Sequence, residues 1–153
     1  QYLPTEKIAE FLALQKSEAL ENTIRKSELL ITADTIVAKE GKILNKPKDE
    51  QEAFEMLSFL SDDMHEVITG VCISNNEKKE VFSINTKVFF KKLTKQEIDF
   101  YIKEYKPFDK AGSYGIQDWI GLIGIKKITG SYFNVVGLPI AKLYQKLIQF
   151  DAL

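Results

Sequence analysis

Between Leu29 and Pro47 the chain reads LLITADTIVAKEGKILNKP, an apolar strand that carries a carboxylate, Asp34, and a hydroxyl, Thr35, in its middle. Leu29 to Ile31 precede the polar pair and Ile36 to Ala38 follow it, so both flanks demand burial. An ionised acid inside a buried strand costs free energy unless something compensates it. A metal ion, a basic partner or a catalytic task would do so, and so would backbone amides close to a strand end. The residues leave these four explanations open. After the turn Lys39-Glu40-Gly41-Lys42 comes a short return run that ends on a second cation, Lys46, whose backbone Pro47 restricts.

A chain of 153 residues makes one domain, or two lobes sharing one sheet, with room for a real core. Its net charge of -1 gives no basic face for nucleic acid, so an anionic ligand would have to be met by local lysines. The lone cysteine, Cys72, rules out an internal disulfide and a multi-cysteine metal site, which suits a reducing cytoplasm. Its apolar neighbours predict a buried, inert thiol. No apolar run reaches the roughly 20 residues that a membrane helix needs, and no signal-peptide pattern opens the chain. The start at Gln1, almost directly into a helix, leads us to expect that a parent sequence extends upstream.

The pattern predicts a first helix from Pro4 or Thr5 to about Lys26, with Ile8, Phe11, Leu12, Ala19, Leu20 and Ile24 inward. Lys16 lies in it and reads, by pattern alone, as a solvated lysine. Asp49 and Glu52 form a capping box for a second helix with Ala53, Phe54, Leu57 and Leu60 in the core. Glu66 to Ser74 reads as a strand preceded by the only histidine, His65, taken as structural. After the turn at Asn75 to Lys78 the chain returns from Glu80 to about Lys91, giving an antiparallel ribbon. Thr94 and Glu97 cap a third helix, with Ile98, Tyr101, Ile102 and Tyr105 inward and Pro107 as its stop.

Then the character changes. Asp109 to Gln117, DKAGSYGIQ, combines an acid, a base, two glycines, two hydroxyls and an amide. Glycines let backbone amides approach a ligand closely. A strand from about Ile120 to Ile128, a polar loop from Thr129 to Gly137 and a last helix after Pro139 complete the chain, that helix burying Leu143, Leu147 and Phe150. Strand pairs mixed with helices predict an α/β domain around a mixed twisted sheet, the polar patches gathering in a cleft. No Walker loop, dinucleotide fingerprint or HExxH occurs.

Five segments appear in order: ADT (Ala33–Thr35), NKPKD (Asn45–Asp49), H-x-V-x-TG (His65–Gly70), DKAGSYGIQ (Asp109–Gln117) and GSYFNVVGLP (Gly130–Pro139). Together they closely resemble the Maf family of nucleoside triphosphate pyrophosphatases, also called septum formation inhibitor Maf proteins, from about Lys16 onward. The resemblance implies a Maf and inosine triphosphatase-like α/β fold, a mixed twisted sheet flanked by helices with two lobes around a cleft. It implies that residues 1–153 are a single Maf-like domain. Maf proteins begin with a strand and a Ser-x-Arg-Arg phosphate-binding loop. Nothing here matches that segment, so the resemblance places it upstream of Gln1.

The implied reaction is hydrolysis of dTTP or UTP, with modified pyrimidine nucleotides as an extension, to the monophosphate and pyrophosphate. A divalent cation, Mg or Mn, would assist. Asp34 matches the family's proton acceptor, Lys16 and Lys46 its substrate lysines, and Thr35 and Gln117 its positions of substrate choice. The Tyr-Gly-Ile-Gln run at Tyr114 to Gln117 is similar to the dTTP/UTP branch, not to the branch that prefers methylated GTP. Gln117 offers a donor and an acceptor to a base edge, or else merely caps a turn. A cytoplasmic location, a homodimer, and no nucleic-acid or membrane partner complete the expectation. The competing reading is a nucleotide-binding regulator of cell division and septum formation with little turnover.

Overall fold

The computed structural model describes residues 3–151. Helix α1 spans Thr5–Leu20, strand β1 Leu30–Lys39, β2 Lys42–Leu44, helix α2 Glu50–Leu60, β3 Met64–Ser74 and β4 Lys79–Phe90. Helices α3 (Lys95–Tyr105) and α4 (Trp119–Gly124), strand β5 (Ile125–Thr129), and helices α5 (Tyr132–Val136) and α6 (Ile140–Gln149) follow. The strands form one five-stranded sheet in the order β2-β1-β3-β4-β5. This is the expected α/β class. The sequence predicts a mixed sheet, and the β1–β2 and β4–β5 pairs are antiparallel. The crossover through α2 returns the chain so that Thr35 of β1 meets Thr69 of β3, and Lys39 meets Asp63 just before β3.

The chain divides into two compact units, and β1, β3 and β4 contribute residues to both. The first contains the chain up to Thr35, Ile68–Asn85 and the chain from Ser131. Its core is Val71, Ile73, Phe82, Leu143 and Phe150, with Leu147 partly buried against it. Cys72 is buried here and burial pushes its thiol pKa up, so it is inert as expected.

Helix α1 differs from its predicted face. Ala9, Ala13 and Ser17 are buried, while Phe11 and Leu20 are 52% and 44% exposed. The reason is Gly70 in β3. A Cβ built there would lie 2.2 Å from the Ala9 carbonyl oxygen, so backbone meets backbone and only the smallest side chains fit between. Polar ties support this close approach: Thr32 Oγ1 donates to the Ala13 carbonyl at 2.7 Å, and the Ser17 and Ser74 hydroxyls lie 2.9 Å apart. The helix also ends at Leu20 in a single 3-10 turn, short of Lys26.

The second unit contains Ile36–Val67 and Thr86–Gly130. Strands β1 and β2 join through Glu40 and Gly41, at φ 51° and 75°. Positive φ at both central residues is what the tight, twist-matched hairpin requires. Lys39, read from sequence as part of that turn, is instead a buried end of β1. Its ammonium donates to the Phe59 carbonyl at 2.5 Å, pairs with Asp63 at 3.0 Å and lies over the Phe59 ring. The Asp49 side chain caps α2 through Glu52 N, but Glu52 returns its carboxylate to Lys48 N, so that box is only half formed. At α3 both halves of the Thr94–Glu97 box are present. Tyr105 of that helix, predicted inward, is 44% exposed.

Two further assignments change. The predicted strand from Ile120 begins as helix α4, and β5 starts only at Ile125. A Cβ on Gly121 would come within 1.9 Å of the Ile116 carbonyl oxygen, so the glycine permits a turn that a branched residue would block. The polar loop from Thr129 contains the helical turn α5, capped by Ser131 Oγ accepting from Asn134 N.

Gly70→Ala tests the helix–strand approach. Overpacking against backbone should lower stability by about 1–3 kcal/mol in urea unfolding, with α1 the element that shifts. An unchanged midpoint would contradict the close packing.

Candidate functional site

Asp34 sits where β1 passes through the first unit, with its side chain 23% exposed. Of the four explanations its sequence left open, the structure provides a basic partner. Lys16, one helical position before buried Ser17, turns its ammonium onto Asp34 Oδ1 and also donates to the Ala33 carbonyl at 3.0 Å. The Lys16 side chain is half exposed, at 52%. Solvent screens such a pair, so it contributes at most about 1 kcal/mol to stability. It sets the ammonium against one carboxylate oxygen and the Ala33 carbonyl. Lys16 is therefore not the freely solvated lysine that pattern alone suggested.

Thr35, the next residue, begins a hydrogen-bonded chain. Its hydroxyl lies 2.8 Å from that of Thr69, and Thr69 Oγ1 donates to the Asn134 carbonyl at 2.9 Å. Each hydroxyl has one proton, and Thr69 has committed its own to Asn134. Thr35 must then donate to Thr69, which leaves its oxygen able only to accept from a ligand. Asn134 is itself buried and its side-chain amide donates to the Ile84 carbonyl at 3.0 Å. Close by, Gly137 has φ 131°, and a Cβ there would lie 3.8 Å from Thr35 Oγ1.

Lys46 and Gln117 belong to the second unit, and both are exposed. The segment before each is fixed. Gly112, at φ 70°, packs on Val37 and donates its N–H to the Asn45 carbonyl at 3.2 Å, tying the 109–117 loop to the residue before Lys46. Ser113, also at positive φ and fully buried, donates to Met56 Sδ at 3.2 Å. Tyr114 is buried, and its hydroxyl lies 2.6 Å from His65 Nε2. Both rings pack on Phe90. His65 is thus inside β3 and 1% exposed, an anchor for the loop. Burial first, and the Lys39 ammonium second, push its pKa down to about 4, so it is neutral at physiological pH. Burial also raises the Tyr114 pKa, which keeps the phenol protonated.

Among the described residues no group of three or more His, Cys, Asp and Glu side chains gathers to hold a metal. Asp34 could still supply one hard carboxylate ligand. That suits a cation such as Mg, which binds through one or two carboxylates and takes its other ligands from phosphate oxygens and water.

The profile of the family described as Maf-like protein matches residues 1–150. The chain belongs to the Maf family. A protein of Christiangramia forsetii named dTTP/UTP pyrophosphatase is 52% identical over 147 residues, covering 96% of this chain and 75% of that protein. Proteins of the same name from Bacteroides fragilis and Porphyromonas gingivalis are 52% identical over 147 residues and 49% over 150. They cover 96% and 97% of this chain, and 76% and 75% of their own lengths.

Within this Maf chain, sequence reasoning missed the supporting groups. Thr69 and Asn134 looked like parts of motifs, and nothing in their spacing showed that one hydroxyl would orient another. Tyr101 read as part of an apolar stripe, although a buried phenol must find a hydrogen-bond partner, and that was an available signal.

The buried histidine sets a pH dependence. Its folded pKa near 4 lies below the ordinary 6.5, so the unfolded chain binds more protons between those values. Stability is then complete above about pH 6.5 and falls as pH drops toward 4, by up to roughly 3 kcal/mol from this group. Comparing urea midpoints of wild type and His65→Gln across that range isolates it. The variant should show the shallower decline; parallel declines would contradict a buried neutral histidine.

Proposed function

We propose that this chain is a nucleoside triphosphate pyrophosphatase that hydrolyses dTTP and UTP to the monophosphate and pyrophosphate. The observation that carries the reading is that relatives named dTTP/UTP pyrophosphatase are 49–52% identical to it over 96–97% of its length. Asp34 accepts the proton of a water whose oxygen attacks the α-phosphorus. The bond from that phosphorus to the α,β-bridging oxygen breaks, and pyrophosphate leaves. Lys16 orients Asp34, and Lys16 and Lys46 are compact cations suited to triphosphate oxygens. Asp34 would supply one ligand to a divalent cation, Mg or Mn, whose charge would offset that of the phosphates.

Base choice falls to Thr35 and Gln117. With its proton committed to Thr69, Thr35 accepts from a donor on the nucleotide. The Gln117 amide meets an adjacent carbonyl and ring N–H, as thymine and uracil present and cytosine does not. A regulator that binds without turnover is less favoured, because a carboxylate beside a polyanion weakens binding unless it does chemistry or holds a cation. Among the described residues no helix is long and apolar enough to cross a membrane.

Pyrophosphate release from dTTP, UTP, CTP, ATP and GTP, with and without Mg or Mn, tests the reading. dTTP and UTP should be cleaved similarly in the presence of metal, since a methyl contributes only about 1 kcal/mol. CTP should be cleaved roughly tenfold less well or worse, because mismatched polar groups cost about 1–3 kcal/mol each. Release from none of the five would refute the enzyme. Equal cleavage of CTP and UTP would refute the hydrogen-bonded account of base choice.

A further inference from the structure

Gln117 lies at the tip of a four-residue turn, Gly115 to Asp118, closed by the Asp118 N–H donating to the Gly115 carbonyl at 3.0 Å. Asp118 stands at the N-cap of α4, where an aspartate ordinarily accepts from the first helical amides. It makes no such bond. Its carboxylate instead accepts from the Tyr101 hydroxyl, Oη to Oδ2, at 2.7 Å. The same Tyr101 oxygen accepts from the Gly115 N–H at 3.2 Å. A single phenol, carried by α3 and fully buried, therefore ties the first residue of the turn to the last.

The turn has no slack around this tie. A Cβ on Gly115 would lie 3.1 Å from Asp118 Oδ2 and 3.0 Å from Lys110 Cε. Gly121 closes the other side against the Ile116 carbonyl. Burial and the neighbouring Asp118 raise the Tyr101 pKa, so the hydroxyl remains a donor.

Rigidity here has a chemical consequence. A glutamine amide exchanges its donor and acceptor by rotating its last torsion, and can then meet the edge of uracil or of cytosine. Holding the turn does not stop that rotation, but it fixes the backbone position from which the amide reaches out, and so the distance at which it meets a base edge. We propose that Tyr101 is a specificity-positioning residue, whose hydroxyl, by joining Gly115 N to Asp118 Oδ2, holds the turn that presents Gln117 to a pyrimidine base. This rests on the nucleotide reading above, and goes beyond it by placing the determinant of base selectivity in a buried helix residue that touches no ligand.

Tyr101→Phe keeps the ring and deletes the hydroxyl. Trp119, the only tryptophan, lies two residues from Gln117 with its ring against Phe100, so its fluorescence can report both the turn and nucleotide binding. The readout is the ratio of CTP to dTTP dissociation constants, taken with metal present on wild type, Tyr101→Phe, Asp118→Ala and Asp118→Asn. Tyr101→Phe and Asp118→Ala should lower the ratio by roughly threefold to tenfold, chiefly through weaker dTTP binding. Asp118→Asn retains an acceptor for the phenol and should keep the ratio near wild type. Variants that unfold earlier yet keep the wild-type ratio would overturn the proposal, since a purely structural tyrosine would behave so. A wild type that binds dTTP selectively but releases no pyrophosphate would refute the enzyme reading and leave this one standing. A wild type that binds neither nucleotide would overturn both.

Discussion

Everything in the first unit depends on how closely α1 lies on β3. Gly70 removes the last side chain between the two backbones, and Ala9, Ala13 and Ser17 fill what space remains. That approach puts Lys16, the helical position just before Ser17, within reach of Asp34 on β1. The ion pair is too exposed to stabilise the fold appreciably, so the dependence runs one way: packing places the charge pair. On the far side of Asp34, the Thr35–Thr69–Asn134 chain fixes the neighbouring hydroxyl as an acceptor. A carboxylate and a hydroxyl that were awkward in an apolar strand are thus each held by a different element.

The second unit achieves the same end with buried phenols. Tyr114 is tied to His65 inside β3, and Tyr101 bridges the turn beyond it, while Gly112 and Ser113 accept the left-handed backbone between. Burying a phenol without a partner would cost about 1–3 kcal/mol. Here each hydroxyl is partnered at one definite place, which turns that cost into a constraint on where the loop can sit. The exposed side chains of Gln117, at its end, and of Lys46, next to the Asn45 it is tied to, carry no such burden themselves.

Much of this was legible in the sequence. The strand with Asp34, the hairpin at Glu40-Gly41, the Thr94–Glu97 cap and the stop at Pro107 all follow from local rules, and the structure has each. Local rules failed where packing overrode them. Helix α1 shows a hydrophobic stripe that a close backbone approach forbids it to use. Ile120 to Ile128 has strand composition, yet Gly121 lets its first part coil into α4. Asp34, Thr35 and Lys46 stood out in the strand and its return run, while their roles, and those of Lys16 and Gln117, came from motif resemblance. The groups that orient some of them, Thr69, Asn134, His65 and Tyr101, are distant in sequence, and hydrogen bonds across the fold leave no periodic trace.

We propose that Asp34 is an acid in a strand because it serves as a base, with Lys16 holding its orientation. Single-turnover cleavage of dTTP by Asp34→Asn, alongside the dTTP dissociation constant and the urea midpoint, tests it most directly. The amide keeps the shape and can no longer take the proton, so the rate should fall by roughly a hundredfold or more with the folded structure and nucleotide binding retained. A folded Asp34→Asn protein that cleaves dTTP at near wild-type rate would show that the carboxylate is only a structural partner of Lys16.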